Sequence, residues 1–278
     1  MSKKPNIYIS IVLYKNKEEV LLKTINSLLQ SRLELKIFLI DNSPSKKLQK
    51  LELLDQKIEY LFLGKNIGYG SAHNISIKKS IDDGISYHLV LNPDVYFKNN
   101  VLNELYSYMD NNLDVGNILP LVRYPDNKKQ YLTKLLPTPI DLLVRRFMGN
   151  TNWVKKRDYK YELRFTKYSK VINAPNLSGC FMFLRTATLM DIGLFDEDIF
   201  MYLEDIDLNR RIHKKYKTIF YPKVEITHDY AKGSYSDSKL LRYHIISTIY
   251  YFNKWGWLFD KQRVLANMKC LDSLGFNK

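Results

Sequence analysis

Short apolar runs alternate with amphipathic stretches along the N-terminal part of the chain. The apolar runs are rich in β-branched residues and predict buried strands, whereas apolar positions spaced three and four apart predict helices. Strand patterns occupy residues 7–13, 36–40, 58–63 and 87–91, and helical patterns cover residues 20–29 and 48–54. Strands that alternate with helices of this length predict an α/β fold with a mostly parallel central sheet and right-handed crossovers.

Polar residues follow the ends of these predicted strands. Asp41 comes after the second strand, the glycine-rich segment 64–74 (GKNIGYGSAHN) after the third, and Asn92-Pro93-Asp94 after the fourth. Parallel sheets bind ligands at the carboxyl ends of their strands, where an acid can accept hydrogen bonds from a nucleobase or a ribose. Glycines in such a turn allow the backbone to approach the ligand closely. The pattern therefore predicts a nucleotide site at this edge of the sheet.

The Asn92-Pro93-Asp94 turn has two explanations. Asn and Asp are ordinary turn formers, so a type I turn would account for the segment without any ligand. Alternatively, Pro93 fixes the backbone and Asp94 offers a hard oxygen ligand to Mg²⁺ or Mn²⁺. The position of Asp94 at the end of a central parallel strand favours the metal, because a bound diphosphate can supply the remaining ligands.

Four acidic residues gather near the start of a helix predicted in segment 176–211. The segment opens with Ser178-Gly179-Cys180 and an apolar strand-like run, and the helical pattern begins near Leu203. The acids are Asp198, Glu204, Asp205 and Asp207. One explanation is that carboxylates in the first turn stabilise the positive end of the helix dipole. The other is that Asp205 or Glu204 acts as a general base beside a pocket containing aromatic residues.

The chain is strongly basic, and the basic residues are concentrated in two regions. Its 278 residues carry a formal net charge of +14, which implies an anionic partner such as lipid headgroups, a phosphate-bearing substrate or nucleic acid. Residues 140–170 form a basic insertion with interleaved aromatic residues. Residues 238–278 predict an amphipathic helical segment that either lies in a membrane interface or packs back on the domain.

The cellular compartment is predicted from the cysteines and from the apolar runs. Cys180 and Cys270 lie far apart and form no metal-binding spacing, which indicates buried thiols in a reducing, cytoplasmic compartment. The N-terminal apolar run of about seven residues is shorter than a signal peptide requires. No stretch reaches the roughly 20 apolar residues of a membrane-spanning helix.

These features in this order resemble glycosyltransferase family 2 with the GT-A fold, in its rhamnosyltransferase-like branch of O-antigen and capsule assembly. The matching segments, spread over residues 9–234, are ISIVLYKN, LIDNS, GKNIGYGSAHN, VLNPDV, SGCFMFLR, GLFDEDIFMYLEDIDLNRRI and ITHDYAKGS. The resemblance implies inverting transfer of a sugar from a nucleotide diphosphate to an acceptor hydroxyl. The expected donor is dTDP-rhamnose, with UDP-galactofuranose or a UDP-hexose as the alternative. The expected acceptor is a polyprenyl-diphosphate-linked saccharide at the inner face of the bacterial cytoplasmic membrane.

The resemblance also implies roles for particular residues. Asp205 corresponds to the catalytic base, with Glu204 as its neighbour, and Asp94 to the last acid of a metal-binding Asp-x-Asp motif. His228 ends a strand-like run, where a histidine is often only packed, but the resemblance implies a contact to Mn²⁺ or Mg²⁺ or to the diphosphate. The residues expected on the nucleotide side are Asp41, Asn66, Gly70, Asn74, Asn92 and Lys232.

Asn92 stands where the family commonly has the first metal-binding acid. One negative charge fewer predicts a metal ion held more by the diphosphate than by the protein. The expected organisation is a GT-A domain over residues 1–236, with a nucleotide-sugar half to about residue 122 and a catalytic half after it, followed by the C-terminal helical segment 237–278.

Three other classes of protein are compatible with parts of the pattern. A nucleic-acid-binding module explains the basic charge and the aromatic residues, but acids at successive strand ends would repel phosphate. A nucleotidyltransferase shares the nucleotide-binding sheet, but residues 14–17 lack the phosphate-gripping glycine loop expected after the first strand. A catalytically silent partner protein stays open on the sequence alone.

Overall fold

The fold is built on one large mixed sheet, seen in a computed structural model that describes residues 5–98, 100–142, 151–229 and 238–276. The strands are β1 (Ile7–Leu13), β2 (Leu35–Asp41), β3 (Ile58–Phe62), β4 (Tyr87–Leu91), β5 (Val95–Phe97), β6 (Val115–Arg123), β7 (Thr133–Lys134), β8 (Ile172–Asn173), β9 (Asn176–Leu177), β10 (Phe181–Arg185) and β11 (Lys217–His228). The helices are α1 (Glu18–Leu29), α2 (Tyr69–Asp82), α3 (Val101–Asn111), α4 (Asn152–Tyr161), α5 (Thr186–Ile192), α6 (Glu204–His213), α7 (Ser238–Trp255) and α8 (Lys261–Ser273).

The main sheet has the strand order β3-β2-β1-β4-β10-β6-β11-β5, with β8 paired to β11, and β7 and β9 form a separate small ladder. Strands β1 to β4 are parallel neighbours, so the carboxyl ends of β1, β2 and β4 lie at one edge. All seven residues of β1 are buried, as expected for a central strand covered on both faces. The predicted α/β class with a mostly parallel central sheet is confirmed.

Strand β10 joins the two halves of the sheet. It runs antiparallel to β4 and β6, with Phe181 opposite Leu91. Because an antiparallel strand begins where its neighbour ends, the turn before β10 lies beside the turn after β4. The Asn92 N–H accordingly donates to the Cys180 carbonyl at 2.9 Å. This pairing brings two turns together that are far apart in the sequence.

Two local predictions differ from the structure. The helical pattern at residues 48–54 gives only a short 3₁₀ helix, Gln49–Leu54, because Leu53 is 87% exposed and Leu51 alone is buried within it. The glycine-rich turn expected over residues 64–74 ends at Gly68, and helix α2 begins at Tyr69. The C-terminal half of segment 64–74 therefore lies in helix α2 and contributes to helix packing.

The C-terminal segment packs on the rest of the molecule. Tyr251 and Phe252 of α7 are buried against Leu203, directly before helix α6. The buried carboxylate of Asp207 in α6 accepts hydrogen bonds from Trp255 Nε1 at 2.8 Å and from Arg211 Nε at 2.8 Å. Lys254 Nζ lies 2.8 Å from the same carboxylate. Among the residues described, no helix combines the length and apolarity needed to cross a bilayer.

We expect Asp207→Ala to destabilise the protein far more than Asp198→Ala. Removing Asp207 leaves the indole N–H of Trp255 and two cations without their shared carboxylate, a loss of about 3 kcal/mol. Asp198 is exposed and accepts one hydrogen bond from Tyr250 at 3.2 Å, so its removal should change the free energy of unfolding by less than about 0.5 kcal/mol. Urea unfolding measures both, and equal effects would contradict the assigned role of Asp207.

Candidate functional site

A polar pocket of about 370 Å³ lies at the carboxyl ends of β1 and β2. Its lining residues are Lys15, Asn16, Asp41, Ser43, Pro44, Ser45, Lys47 and Leu48. Asp41 accepts hydrogen bonds from the Tyr60 hydroxyl at 2.5 Å and from the Ser43 N–H at 2.8 Å, and its side chain is shielded from solvent. Burial and the charge of Asp41 raise the pKa of Tyr60, so Tyr60 stays a donor. Asp41 thus fixes the Ser43 turn and gives the pocket a negative inner wall, while direct reading of a base by Asp41 stays a prediction.

Asn66 shapes the turn that follows β3. Its Oδ1 accepts from the Gly68 N–H at 3.0 Å and from Asn42 Nδ2 at 3.3 Å. Gly68 has a φ of +96°, and a Cβ there would lie 2.6 Å from the Phe200 carbonyl oxygen. The Tyr69 N–H donates to that carbonyl at 2.9 Å. The turn after β3 therefore holds the loop that leads to the acidic helix α6.

Gly70 and Asn74 hold a neighbouring part of the same loop. A Cβ at Gly70 would lie 2.8 Å from the Cβ of Phe195, so the missing side chain is where this aromatic residue packs. Asn74 is buried, donates to the Phe195 carbonyl at 2.9 Å and accepts from the Phe195 N–H at 3.1 Å. Sequence reasoning places both residues beside the nucleotide, but their contacts here are made to the loop.

Asp94 and His228 come together at the end of the sheet. His228 pairs with Val95 in the β5–β11 ladder, and His228 Nε2 lies 3.4 Å from Asp94 Oδ1. His228 Nδ1 lies 3.0 Å from Gln130 Oε1, and Gln130 Nε2 donates to the His228 carbonyl at 2.7 Å. Gln130 thereby turns the imidazole so that Nε2 faces Asp94.

The charges around His228 favour a cation at this position. Burial opposes the charged imidazole, but Cys180 and Asp94 outweigh it and raise the pKa of His228 to about 10. Asp94 Oδ1 is buried and makes no hydrogen bond to a described residue. The imidazole must release a proton to bind a metal, and a carboxylate with a neutral imidazole then suits Mn²⁺ or Mg²⁺ when a bound diphosphate supplies further oxygens. The described residues contain no cluster of three or more acidic, histidine or cysteine ligands, so the protein alone offers a sparse donor set.

The catalytic candidate Asp205 lies in the first turn of α6. Tyr202 and Leu203 both have left-handed backbone angles, with φ of 69° and 67°, and this strained turn directs Asp205 toward the start of β10. Asp205 Oδ2 accepts from the Gly179 N–H at 2.8 Å, and Oδ1 accepts from the Ile206 N–H at 2.8 Å. A Cβ at Gly179 would lie 2.9 Å from the Cβ of Asp205, so only glycine permits this approach.

The two adjacent carboxyl groups differ in their hydrogen-bond partners. Burial raises the pKa of Asp205, while the Gly179 and Ile206 N–H groups and the nearby Lys134 oppose the rise. Burial and the charge of Asp205 raise the pKa of Glu204 to about 8, so Glu204 is mainly protonated at neutral pH. Pairs of carboxyl groups with divergent environments commonly divide acid and base roles, and here the two backbone donors favour the deprotonated form of Asp205.

Tyr69 connects the two halves of the site. Its hydroxyl lies 3.0 Å from Asn92 Oδ1 and 2.8 Å from the Gly179 carbonyl oxygen. Burial and the surrounding acids, Glu204 first among them, raise the pKa of Tyr69 well above its ordinary value, so the phenol remains a hydrogen-bond donor. Asn92 is thus held by Tyr69. Sequence reasoning missed Tyr69 and Gln130, because their partners become neighbours only through the sheet.

Two of the four acids lie apart from this centre. Asp207 and Asp198 contact α7, so only two of the four acids reach the site. Lys232 lies outside the residues that the structure describes.

A family model described as glycosyl transferase family 2 matches residues 10–193, about two thirds of the chain. The chain belongs to this family. The match covers Asp41 and Asp94 and ends before the acids of α6. This glycosyltransferase is 26% identical over 236 residues to N-acetylglucosaminyl-diphospho-decaprenol L-rhamnosyltransferase of Mycobacterium tuberculosis, covering 78% of this chain and 73% of the relative. It is 27% identical over 274 residues to rhamnosyltransferase WbbL of Escherichia coli, covering 94% and 95% of the two chains.

The fold is that of the GT-A glycosyltransferases. The crystal structure of GalNAc-T7 with UDP, GalNAc and Mn²⁺ superimposes with a TM-score of 0.61 at 14% sequence identity. The alignment covers 91% of this glycosyltransferase but only half, 50%, of the GalNAc-T7 chain. At this identity the likeness shows the fold alone, and it agrees with the α/β architecture predicted from the sequence.

We expect Gly179→Ala to reduce turnover at least tenfold with little loss of fold. The new methyl group would displace the Asp205 carboxylate and lengthen its bond to the residue 179 N–H, and small misplacements of a catalytic group are costly. Ser178→Ala is the matched control, since its hydroxyl accepts only a weak 3.3 Å bond from the Cys180 N–H. Donor consumption and thermal unfolding measure the two effects, and a Gly179→Ala enzyme with full turnover would contradict the geometry assigned to Asp205.

Proposed function

We propose that this glycosyltransferase inverts the anomeric carbon as it transfers a sugar from a nucleotide diphosphate to a saccharide hydroxyl. The observation that carries the proposal is the Asp205 carboxyl group, which accepts hydrogen bonds from two backbone N–H groups beside the turn that contains Asp94. The acceptor oxygen attacks the anomeric carbon, its proton passes to Asp205, and the bond from carbon to the diphosphate oxygen breaks on the opposite face. In this proposal Glu204 stays neutral, and Asp205, which has two backbone N–H donors, carries the negative charge.

The nucleotide is proposed to lie at the carboxyl ends of β1 and β2, in the 370 Å³ pocket. Lys15 and Lys47 line its outer part and complement phosphate charge, while Asp41 and Ser43 offer polar contacts to a base or ribose. The rhamnosyltransferase names of the relatives favour dTDP-rhamnose as the donor. UDP-galactofuranose or a UDP-hexose is the alternative donor.

Asp94 and His228 are proposed to hold a divalent cation together with the donor diphosphate. When bound, such a cation would neutralise charge on the departing nucleotide. Asn92 in place of a second acid leaves one protein carboxylate in this turn, so the ion would depend on the donor for most of its ligands.

The acceptor is proposed to be a polyprenyl-diphosphate-linked saccharide, and the product part of an O-antigen or capsule polysaccharide. The support is the diphospho-decaprenol substrate named for the mycobacterial relative and the net charge of +14. We therefore place the protein at the cytoplasmic face of the bacterial inner membrane, bound peripherally. Exposed Leu258 and Phe259, beside the lysine that begins α8, give this surface both apolar and basic groups.

We expect Asp205→Asn to lower turnover about 10²- to 10⁴-fold while donor affinity stays within a few-fold. The amide cannot take the proton from the acceptor hydroxyl. Glu204→Gln imitates the neutral acid and should retain most activity at pH 7. Single-turnover kinetics and donor titration separate the two effects, and the reverse ranking would make Glu204 the base.

The Glu204→Gln variant also tests how the free energy of unfolding depends on pH, and the direction of the change is predicted. Glu204 has a folded-state pKa of about 8, above the ordinary glutamate value of 4.5, so its favourable contribution is present below pH 4.5 and is lost as pH rises through 8. The glutamine does not titrate. The variant should therefore gain stability relative to the natural protein as pH increases over that window, and urea unfolding at pH 5 and pH 8 measures the change.

We expect Asp94→Ala and His228→Ala to weaken donor binding and to shift its dependence on Mn²⁺ concentration. A donor at 100 times its Kd stabilises the natural protein by about 2.7 kcal/mol, so thermal unfolding with dTDP- and UDP-sugars also identifies the nucleotide. Asp114→Ala, which removes only a surface ion pair with Lys217, is the control. Full donor protection in excess chelator would overturn the metal assignment and leave the transferase assignment standing.

A further inference from the structure

A second, larger cavity lies away from the nucleotide pocket. Its volume is about 790 Å³, and it is bounded by the chain that follows β7, by α4 and by α8. Its walls are mainly apolar and include Leu135, Leu136, Tyr161, Val264, Met268 and Leu271. This size is ordinary for a small-molecule site, but the walls suit neither a sugar nor a nucleotide. We call it the α4–α8 groove.

The charged residues of the groove are predominantly cationic. Arg157 and Arg263 line it, but each is ion-paired, to Asp141 at 2.5 Å and to Asp260 at 3.9 Å. Lys156 and Lys160 also line it, are exposed, and form no ion pair with any described residue. An apolar groove with two uncompensated lysines at its border complements an amphiphile that has a hydrocarbon chain and an anionic head.

The groove begins close to the catalytic base. Lys134 of β7, whose charge acts on Asp205, directly precedes Leu135 in the groove wall. Lys134 pairs with Asn176 of β9, and Asn176 Nδ2 also bonds to the Leu135 carbonyl at 3.4 Å. Asn176 lies three residues before Gly179, whose N–H donates to Asp205 at 2.8 Å, so this end of the groove wall lies near the turn that holds the proposed base.

We propose that the α4–α8 groove binds the hydrocarbon chain of the acceptor lipid, with Lys156 and Lys160 at its phosphates and the saccharide directed toward Asp205. This inference rests on the proposed lipid-linked acceptor. The groove would let a membrane-embedded substrate present a water-exposed sugar to the site, because the apolar chain and the polar head find separate, complementary surfaces.

The test uses geranylgeranyl diphosphate as the probe, titrated by calorimetry without donor or divalent metal. We expect Val264→Glu to weaken binding at least about tenfold, because a carboxylate would enter the apolar wall that the probe's hydrocarbon chain is proposed to contact. Leu265→Glu is the matched control: it lies on the same helix, is 55% exposed against 50% for Val264, and does not line the groove. Its affinity should stay within about twofold. Met268→Glu repeats the test should Val264→Glu fail to fold.

Three further experiments distinguish binding in the groove from binding of phosphate alone and from binding to a lipid surface. The double variant Lys156→Ala, Lys160→Ala should bind severalfold more weakly and with a smaller salt dependence. Inorganic diphosphate should not compete, and vesicles of dioleoylphosphatidylglycerol should not displace the probe. The proposal is overturned if the probe does not bind, if Val264→Glu and Leu265→Glu weaken it equally, or if the vesicles displace it. Probe binding by a protein that fails to glycosylate any lipid-linked saccharide would instead refute the proposed acceptor and leave the groove intact.

Discussion

The hydrogen bond from the Gly179 N–H to the Asp205 carboxylate is the contact on which the site depends. It joins the turn before strand β10 to the first turn of helix α6, and it requires that residue 179 have no side chain. The turn lies beside Asn92 because β10 runs antiparallel to β4. One strand pairing therefore fixes the distance between the proposed base and the proposed metal turn. Tyr69 reinforces the same junction from helix α2.

Burial sets the electrostatic character of this junction. Two adjacent carboxyl groups in one desolvated turn cannot both be charged without a large cost, so the neutral form is favoured at the group with fewer backbone donors. Asp205 has two backbone N–H donors, whereas Glu204 Oε2 is buried without a hydrogen-bond partner among the described residues. The two chemically similar side chains therefore differ in how well the fold stabilises their charged forms, which favours Asp205 over Glu204 as the proposed base.

The C-terminal segment packs against the turn that holds Asp205 and also lines the α4–α8 groove. Helix α7 buries Tyr251 and Phe252 against the turn that holds Asp205, and its Trp255 and Lys254 complete the shell of Asp207. Stability of helix α6 and docking of this segment are thus coupled. Helix α8 contributes Val264 and Met268 to the α4–α8 groove, so the same segment contacts both the turn that holds Asp205 and an apolar groove.

The sequence alone determined the fold class, the family and the main strand ends, because those depend on short-range periodicity and on the order of local patterns. Strand β1 and strand β4 have the predicted bounds, and Asp41, Asp94 and Asp205 stand at predicted element ends. Tertiary structure alone decided which of the four acids reach the site, that Gly70 and Asn74 pack against Phe195, and that Tyr69 and Gln130 orient other groups. These roles arise from contacts between residues distant in the chain. Local propensity carries no information about such contacts. They are made by the β4–β10 pairing and by the packing of α7 on α6.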